Sequence, residues 1–269
     1  MRRGVLAVEG GVITSVERMR CSRRPIRITP RIDALRRRAV GQRIEAVERL
    51  GKRVLLRLKS QDAIVFEPRM TGLLLTGEPP TSEHLRVHIG LQQAALAQLW
   101  YWDRRGLGSV RLFSPHQLQA VLGPKRLGPD ALIITPQQLH ANLANSRRAI
   151  KAAMLDQSVV AAIGNIYASE ILHVARIHPQ TTCNAISAAK WERLVEATRH
   201  VLEQAIRYEG STLNDGTYRN AQNRNGSYQN HHRVYNRRGR ACTTCRRASI
   251  QQITLAQRST FFCPHCQRR

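Results

Sequence analysis

The stretch Leu155-Asp156-Gln157, followed by Ile163-Gly164-Asn165-Ile166-Tyr167-Ala168-Ser169-Glu170 and then Ile177-His178-Pro179, carries the reading of this chain. Between Ile150 and Ile177 apolar residues recur with a helical period, and the pattern breaks at Gly164-Asn165. Gly164 supplies the freedom that a tight turn needs, and Asn165 stands where a helix N-cap is expected. Backbone N–H groups at such a helix start, with an asparagine amide beside them, form a seat for one phosphate. A Gly-Asn pair also breaks helices that bind nothing. The local reading is therefore helix, turn, helix.

Toward the C-terminus, Trp191 to Tyr208 reads as another amphipathic helix, and Glu209 to Asn230 is rich in Gly, Asn, Ser and Thr, as a mobile loop would be. Next comes Cys242-Thr243-Thr244-Cys245, and after seventeen residues Cys263-Pro264-His265-Cys266. Two CxxC turns supply four thiolates, which fill the tetrahedral shell of Zn²⁺ and leave no open position. One structural zinc per chain is expected, holding a two-stranded unit too small for a core of its own. Beyond Asp215 there is no Asp or Glu, while arginines run to the last residue. A rigid hairpin of uniformly positive charge suits a polyanion.

The whole chain shares this bias. Lys and Arg number 43 against 18 Asp and Glu, a formal charge of +25 over 269 residues. Such a balance gives salt-sensitive attraction to phosphate, and it would serve an RNA-binding zinc-ribbon protein as well as a DNA-binding one. No apolar run reaches membrane-spanning length, so no membrane partner is expected. Four of the six cysteines sit at zinc spacing, and Cys21 and Cys183 lie far apart, which predicts a reduced, cytoplasmic setting.

Before the helical segment, Ile44 to about Phe113 reads as strands. Leu85, Val87, Ile89 and Leu91 alternate with Arg86, His88 and Gly90, as in a half-buried antiparallel strand. The expected class is α+β: an antiparallel β-sandwich over 1–115, a helical domain with its loop over 116–230, and a zinc-bound β-hairpin over 231–269.

Further stretches fall into line with the central one. They are Gly51-Lys52, Met70-Thr71-Gly72, His84, Asp103-Arg104-Arg105, Leu127-Gly128-Pro129-Asp130, Val234-Tyr235-Asn236-Arg237-Arg238-Gly239 and Ala256-Gln257-Arg258-Ser259-Thr260-Phe261-Phe262. In this order the chain resembles the formamidopyrimidine-DNA glycosylase and endonuclease VIII family over nearly its whole length. Met70-Thr71-Gly72 and the finger favour the formamidopyrimidine branch, and the 155–179 stretch matches its helix–two-turn–helix element.

The resemblance implies a monomeric base-excision repair enzyme that acts on damaged duplex DNA. Such an enzyme flips out oxidised purines (8-oxoguanine, formamidopyrimidines), excises them and then nicks the abasic strand. It implies that Met70, Arg105 and Leu107 fill the gap, with Arg105 facing the orphaned base and Leu107 standing where the family commonly has Phe. Lys52, His84, Asn165 and Arg258 are implied as phosphate contacts, Lys52 and Arg258 also assisting the elimination steps. The family's phosphate-binding lysine near Ile150 is matched here to Arg147. The loop from Ser211 to Asn225 is implied as the cover of the everted base.

Family chemistry uses an N-terminal proline amine as nucleophile and the glutamate after it as acid. Here the sequence starts Met1-Arg2-Arg3-Gly4, and in the family an Arg-Arg-Gly stretch lies inside the first helix. The polypeptide as written is therefore expected to lack the Pro-Glu pair and to be inactive or nearly so in excision. The favoured expectation is that Met1 is an internal methionine and that the protein begins upstream with this pair; the alternative is a homologue that binds lesions without cutting.

Overall fold

The computed structural model describes all 269 residues. A 3₁₀ segment, Arg2–Val8, opens the chain and buries Val5 and Val8. It is followed by β1 (Val12–Arg18), β2 (Arg27–Thr29), helix α1 (Ile32–Ala39), β3 (Ile44–Leu50), β4 (Arg53–Leu58), β5 (Ala63–Glu67), β6 (Gly72–Leu75), β7 (Leu85–Gln92), β8 (Gln98–Asp103) and β9 (Ser109–Phe113). Helices α2 (Pro115–Leu122), α3 (Pro136–Leu143), α4 (Ile150–Met154), α5 (Asn165–Val174) and α6 (Ala188–Arg207) come next, and the hairpin of β10 (Gln251–Leu255) and β11 (Arg258–Phe262) ends it.

Contacts group these elements into two compact units, Met1–Gly123 with Glu209–Ser227, and Pro124–Tyr208 with Tyr228–Arg269. This grouping differs from the three-part division expected from sequence. The segment after α6 packs with the strands because Ala221 is buried among their apolar residues and its carbonyl accepts from the Thr76 N–H at 2.8 Å. That segment is also tied internally, Asn220 donating to Glu209 and accepting the Gln222 and Arg224 N–H groups.

In the first unit, one sheet runs β1-β7-β8-β6 and the other β2-β9-β5-β4-β3. Ile13, Val16, Val87 and Ile89 of one share a core with Leu56, Leu58, Ile64 and Phe66 of the other, as in a sandwich. Every pairing is antiparallel except β2 with β9, which is parallel. Alternation along β7 has the period expected, but the strand is covered on both faces at Arg86 and Gly90. β7 lies between β1 and β8, and Gly90 is small because Ser15 and Thr14 hydroxyls occupy the space of a Cβ.

The second unit is built on α5 and α6, whose Ile171, Leu172, Trp191, Leu194 and Val201 bury together with Met154 and Tyr228. Helix α3 is started by a Thr135–Gln138 capping box with proline at its first position, a local signal that needs no tertiary help. Residues 155–164 interrupt the helices between α4 and α5, as the Gly164-Asn165 pattern predicts.

Candidate nucleic-acid interface

In the first unit the candidate wedge residues sit on two loops, Met70 between β5 and β6 and Arg105 and Leu107 between β8 and β9, joined by one buried carboxylate. Asp103 is fully buried; its Oδ1 accepts from the Thr71 hydroxyl and from the Arg105 N–H, and its Oδ2 accepts from the Gly108 N–H at 2.8 Å. This explains both motifs at once, since Thr71 of Met70-Thr71-Gly72 and Asp103 of Asp103-Arg104-Arg105 are hydrogen-bond partners. Gly108 cannot carry a side chain, because the Tyr101 hydroxyl lies 1.9 Å from where its Cβ would be. On this base Met70 is 68% exposed, and Arg105 Nη1 lies 3.3 Å from its sulfur. A large apolar side chain held out in water beside a guanidinium, on a rigid loop, is suited to enter a base stack. Leu107 is half-buried next to them. Arg104 turns elsewhere, donating to the Thr217 hydroxyl at 2.8 Å.

Lys52 is exposed at the turn between β3 and β4. His84 is largely covered, its ring edge-on to Trp102 at 5.2 Å and its Nε2 3.7 Å from Glu83. Its Nδ1 is buried without a hydrogen-bond partner.

The second unit departs from the expected cap. Gly164, not Asn165, is the N-cap of α5, and no side chain caps that end. Asn165 is instead the first helical residue, and its amide is used at both ends: Oδ1 accepts from Lys151 Nζ at 2.8 Å and Nδ2 donates to Ser259 O at 3.1 Å. Lys151 also donates to Ser259 O and to Thr260 Oγ1, so its three N–H groups are all engaged. Burial first, and then the nearby Arg258, pull the Lys151 ammonium down to about 8. The start of α5, which no side chain caps, one N–H of the Asn165 amide and the exposed Arg258 are placed to meet an anion.

The sequence points to Arg147, whereas the structure brings Lys151 to this cluster. Arg147 is exposed and stands outside this cluster. The available signal was a lysine inside the apolar run Ile150-Lys151-Ala152-Ala153-Met154, a place a solvated lysine avoids.

Arg258 opens β11 after a two-residue turn in which Ala256 and Gln257 both have positive φ, 48° and 58°. That is the geometry of a type I′ hairpin, here built without glycine. Each such residue costs on the order of 1 kcal/mol, so the hairpin must be held from its other end.

That end is the cysteine cluster. Sulfurs of Cys242, Cys245, Cys263 and Cys266 lie within 4.8 Å of one another, with Cys242–Cys266 at 3.9 Å and Cys245–Cys263 at 3.7 Å. Zn–S bonds of ~2.3 Å in a tetrahedron require sulfurs ~3.8 Å apart, so the residues fit the ion. Their charges also ask for one. The Arg247 N–H draws the Cys245 thiol down to about 7, whereas burial and the neighbouring sulfurs push Cys266 up. Four thiolates this close need a cation between them.

Two further residues seat the finger on α5. Glu170 is fully buried and accepts the backbone N–H groups of Arg233, Val234 and Tyr235 at 2.8–3.0 Å. His173, one turn on, has its Nε2 3.6 Å from Cys242 Sγ, and burial holds it neutral, down at about 4. No helix of the chain is long and apolar enough to cross a membrane.

Comparison with known proteins agrees with this arrangement. Residues 1–110 match the formamidopyrimidine-DNA glycosylase N-terminal domain, residues 127–217 its H2TH domain, and residues 239–269 the zinc finger found in FPG and IleRS. The formamidopyrimidine-DNA glycosylase of Chloroflexus aurantiacus is 42% identical over 246 residues, covering 90% of this chain and 86% of the relative. That of Azorhizobium caulinodans is 35% identical and covers 100% of this chain and 97% of its own length. Among solved structures, a Lactococcus lactis FPG mutant in complex with Fapy-dG-containing DNA superposes with a TM-score of 0.86 at 29% identity, covering 100% of this chain and 97% of that one. The Lactococcus lactis Fpg complex with abasic-site DNA matches equally, with a TM-score of 0.86. Sequence, fold and site thus converge: the chain belongs to the formamidopyrimidine-DNA glycosylase family.

Proposed function

We propose that the protein finds oxidised purines in duplex DNA, 8-oxoguanine and formamidopyrimidines among them, excises the base and nicks the resulting abasic strand. The observation that carries this reading is the exposed Met70 beside Arg105, on two loops that Asp103 ties together. An apolar probe costs stability in water and repays it only when a flipped nucleotide leaves a gap to fill. Arg105 faces the orphaned base and Leu107 widens the wedge. Lys52, His84, Asn165 and Arg258 take strand phosphates, with Lys52 and Arg258 serving the elimination steps as well. Arg147, exposed in the second unit, adds a long-range charge. One zinc per chain, on Cys242, Cys245, Cys263 and Cys266, holds Arg258 in place and takes no part in the chemistry. The protein acts as a monomer on the cell's own DNA, in the cytoplasm.

The attacking amine in this reading is that of an N-terminal proline followed by a glutamate. The test therefore compares residues 1–269 with the same chain carrying a front segment that begins with Pro-Glu. Base release and strand nicking are scored separately on duplexes containing a single 8-oxoguanine or formamidopyrimidine. Release and nicking by the extended chain support the reading. Tight lesion binding without release by either form would instead indicate a lesion-binding homologue, and a preference for RNA over lesion duplex would overturn the DNA-repair reading.

A further inference from the structure

A cavity of about 480 Å³ is walled by residues 18–22, by Pro25 and Ile26, and by Arg86. Sites for small molecules run from ~300 to ~1,000 Å³, so the space exceeds what inorganic phosphate fills. Its wall contains Arg18, Arg20 and Arg86 and no carboxylate. Arg18 and Arg20 are exposed, but Arg86 is only 2% exposed. Its Nε and Nη2 both donate to the carbonyl oxygen of Asp103, at 2.8 and 2.7 Å, and its Nη1 has no hydrogen-bond partner. Nη1 is closed to solvent, so an anion in the cavity reaches it only when the side chain shifts, a shift that a buried guanidinium with an idle donor and no ion-pair partner favours. Met19, Pro25 and Ile26 add an apolar wall, which suits a flat organic body joined to the anion.

We propose that this cavity binds a nucleotide through its phosphate, held by Arg18, Arg20 and Arg86, with the sugar or base against Met19, Pro25 and Ile26. The nucleotide is either free or a unit of a DNA strand. The site touches the wedge loop in two ways. Arg86 holds the Asp103 carbonyl, two residues before Arg105. Gly106, at φ +63°, has the Arg24 carbonyl 2.2 Å from where a Cβ would stand, so the two loops are in direct contact. Occupancy of the cavity and the position of Arg105 and Leu107 are thereby coupled through one side chain.

The experiment uses the full chain with zinc bound and labelled arginine side chains, and follows the Arg86 Nε–H resonance. Inorganic phosphate and deoxyadenosine 5′-monophosphate are titrated separately at constant ionic strength. Saturable movement is expected with both, tighter for the nucleotide. Arg18→Gln with Arg20→Gln, at exposed positions that folding does not need, should weaken it at least 10-fold; Arg86→Lys assigns the signal. The same double variant is then titrated with duplex DNA across salt concentrations. A slope smaller by about two counterions makes the strand the source of the phosphate, and an unchanged slope with lost nucleotide binding makes it a free nucleotide. No saturable movement with either probe, together with an unchanged slope, overturns the proposal.

Discussion

Lys151 Nζ lies 2.8 Å from Asn165 Oδ1, and the same ammonium reaches Ser259 O and Thr260 Oγ1. One buried lysine thus joins the start of α5 to the strand that begins with Arg258. All its protons are spent inside the protein, so it contributes charge and orientation to an anion, not a direct hydrogen bond.

The first prediction concerns pH. In the fold Lys151 sits at about 8, below the ~10.4 of an unfolded lysine. Folding therefore disfavours its charged form. That penalty is complete below pH 8 and is relieved as pH rises from about 8 toward ~10.4, where the unfolded chain also loses the proton. Urea unfolding of the wild type should show a gain in stability across this window that Lys151→Met lacks. Parallel pH profiles for the two proteins would mean that the lysine is not desolvated as its burial indicates.

A second prediction separates the phosphate contacts. Lys52→Ala removes an exposed charge, so the slope of log K against log salt on abasic-site duplex should flatten by ~0.9. Asn165→Ala removes no charge and should leave the slope alone, while weakening binding at every salt concentration by about 1.5–3 kcal/mol. Part of that loss comes from Lys151 and the Ser259 carbonyl each losing one partner, although the bond between the two remains. An unaltered slope in Lys52→Ala would remove that residue from the phosphate contacts.

These residues also mark what the sequence could and could not reveal. Cysteine spacing was readable because two short-range turns dictate it. The wedge motifs were readable as strings, but that Thr71 and Asp103 are partners depends on β6 pairing with β8, with Gly72 opposite Asp103. The role of Lys151 is not legible in the sequence because its partners lie 14 and 109 residues away, and no local pattern reports a contact that long. The same holds for the regrouping of Glu209–Ser227, whose polar composition does not reveal that Ala221 is buried among the strands or that Thr217 meets Arg104. Asn165 has the chemistry of a cap, yet a buried ammonium competes for its oxygen and wins.

The third prediction tests the joint between the finger and the helices. The Glu170 carboxylate accepts from three backbone N–H groups in a row, those of Arg233, Val234 and Tyr235. In Glu170→Gln an amide NH₂ must face at least one of those donors in a buried site, at a cost of about 3 kcal/mol. Thermal melting should fall accordingly, and protease should cleave first near residues 233–235. A melting temperature within a degree of wild type would show that the N–H groups find water instead.

The last prediction concerns retention of the metal. Cys263→Ser should abolish stoichiometric zinc and, with it, DNA binding, because the strained turn at Ala256-Gln257 loses the anchor that keeps Arg258 in position. His173 allows a finer test. Its Nε2 is 3.6 Å from Cys242 Sγ and its Nδ1 is buried without a partner, so the neutral ring that carries its proton on Nε2 presents that proton to the sulfur. A hydrogen bond to a ligating thiolate spreads its charge and fixes its direction, and loss of such a partner typically weakens metal affinity by ~10–100-fold. His173→Phe keeps the aromatic volume and removes only the donor. Transfer of zinc to a colorimetric chelator should be at least several-fold faster from His173→Phe than from wild type, while the folded circular dichroism spectrum before chelation stays the same. Equal transfer rates would mean that the imidazole only fills space behind Cys242.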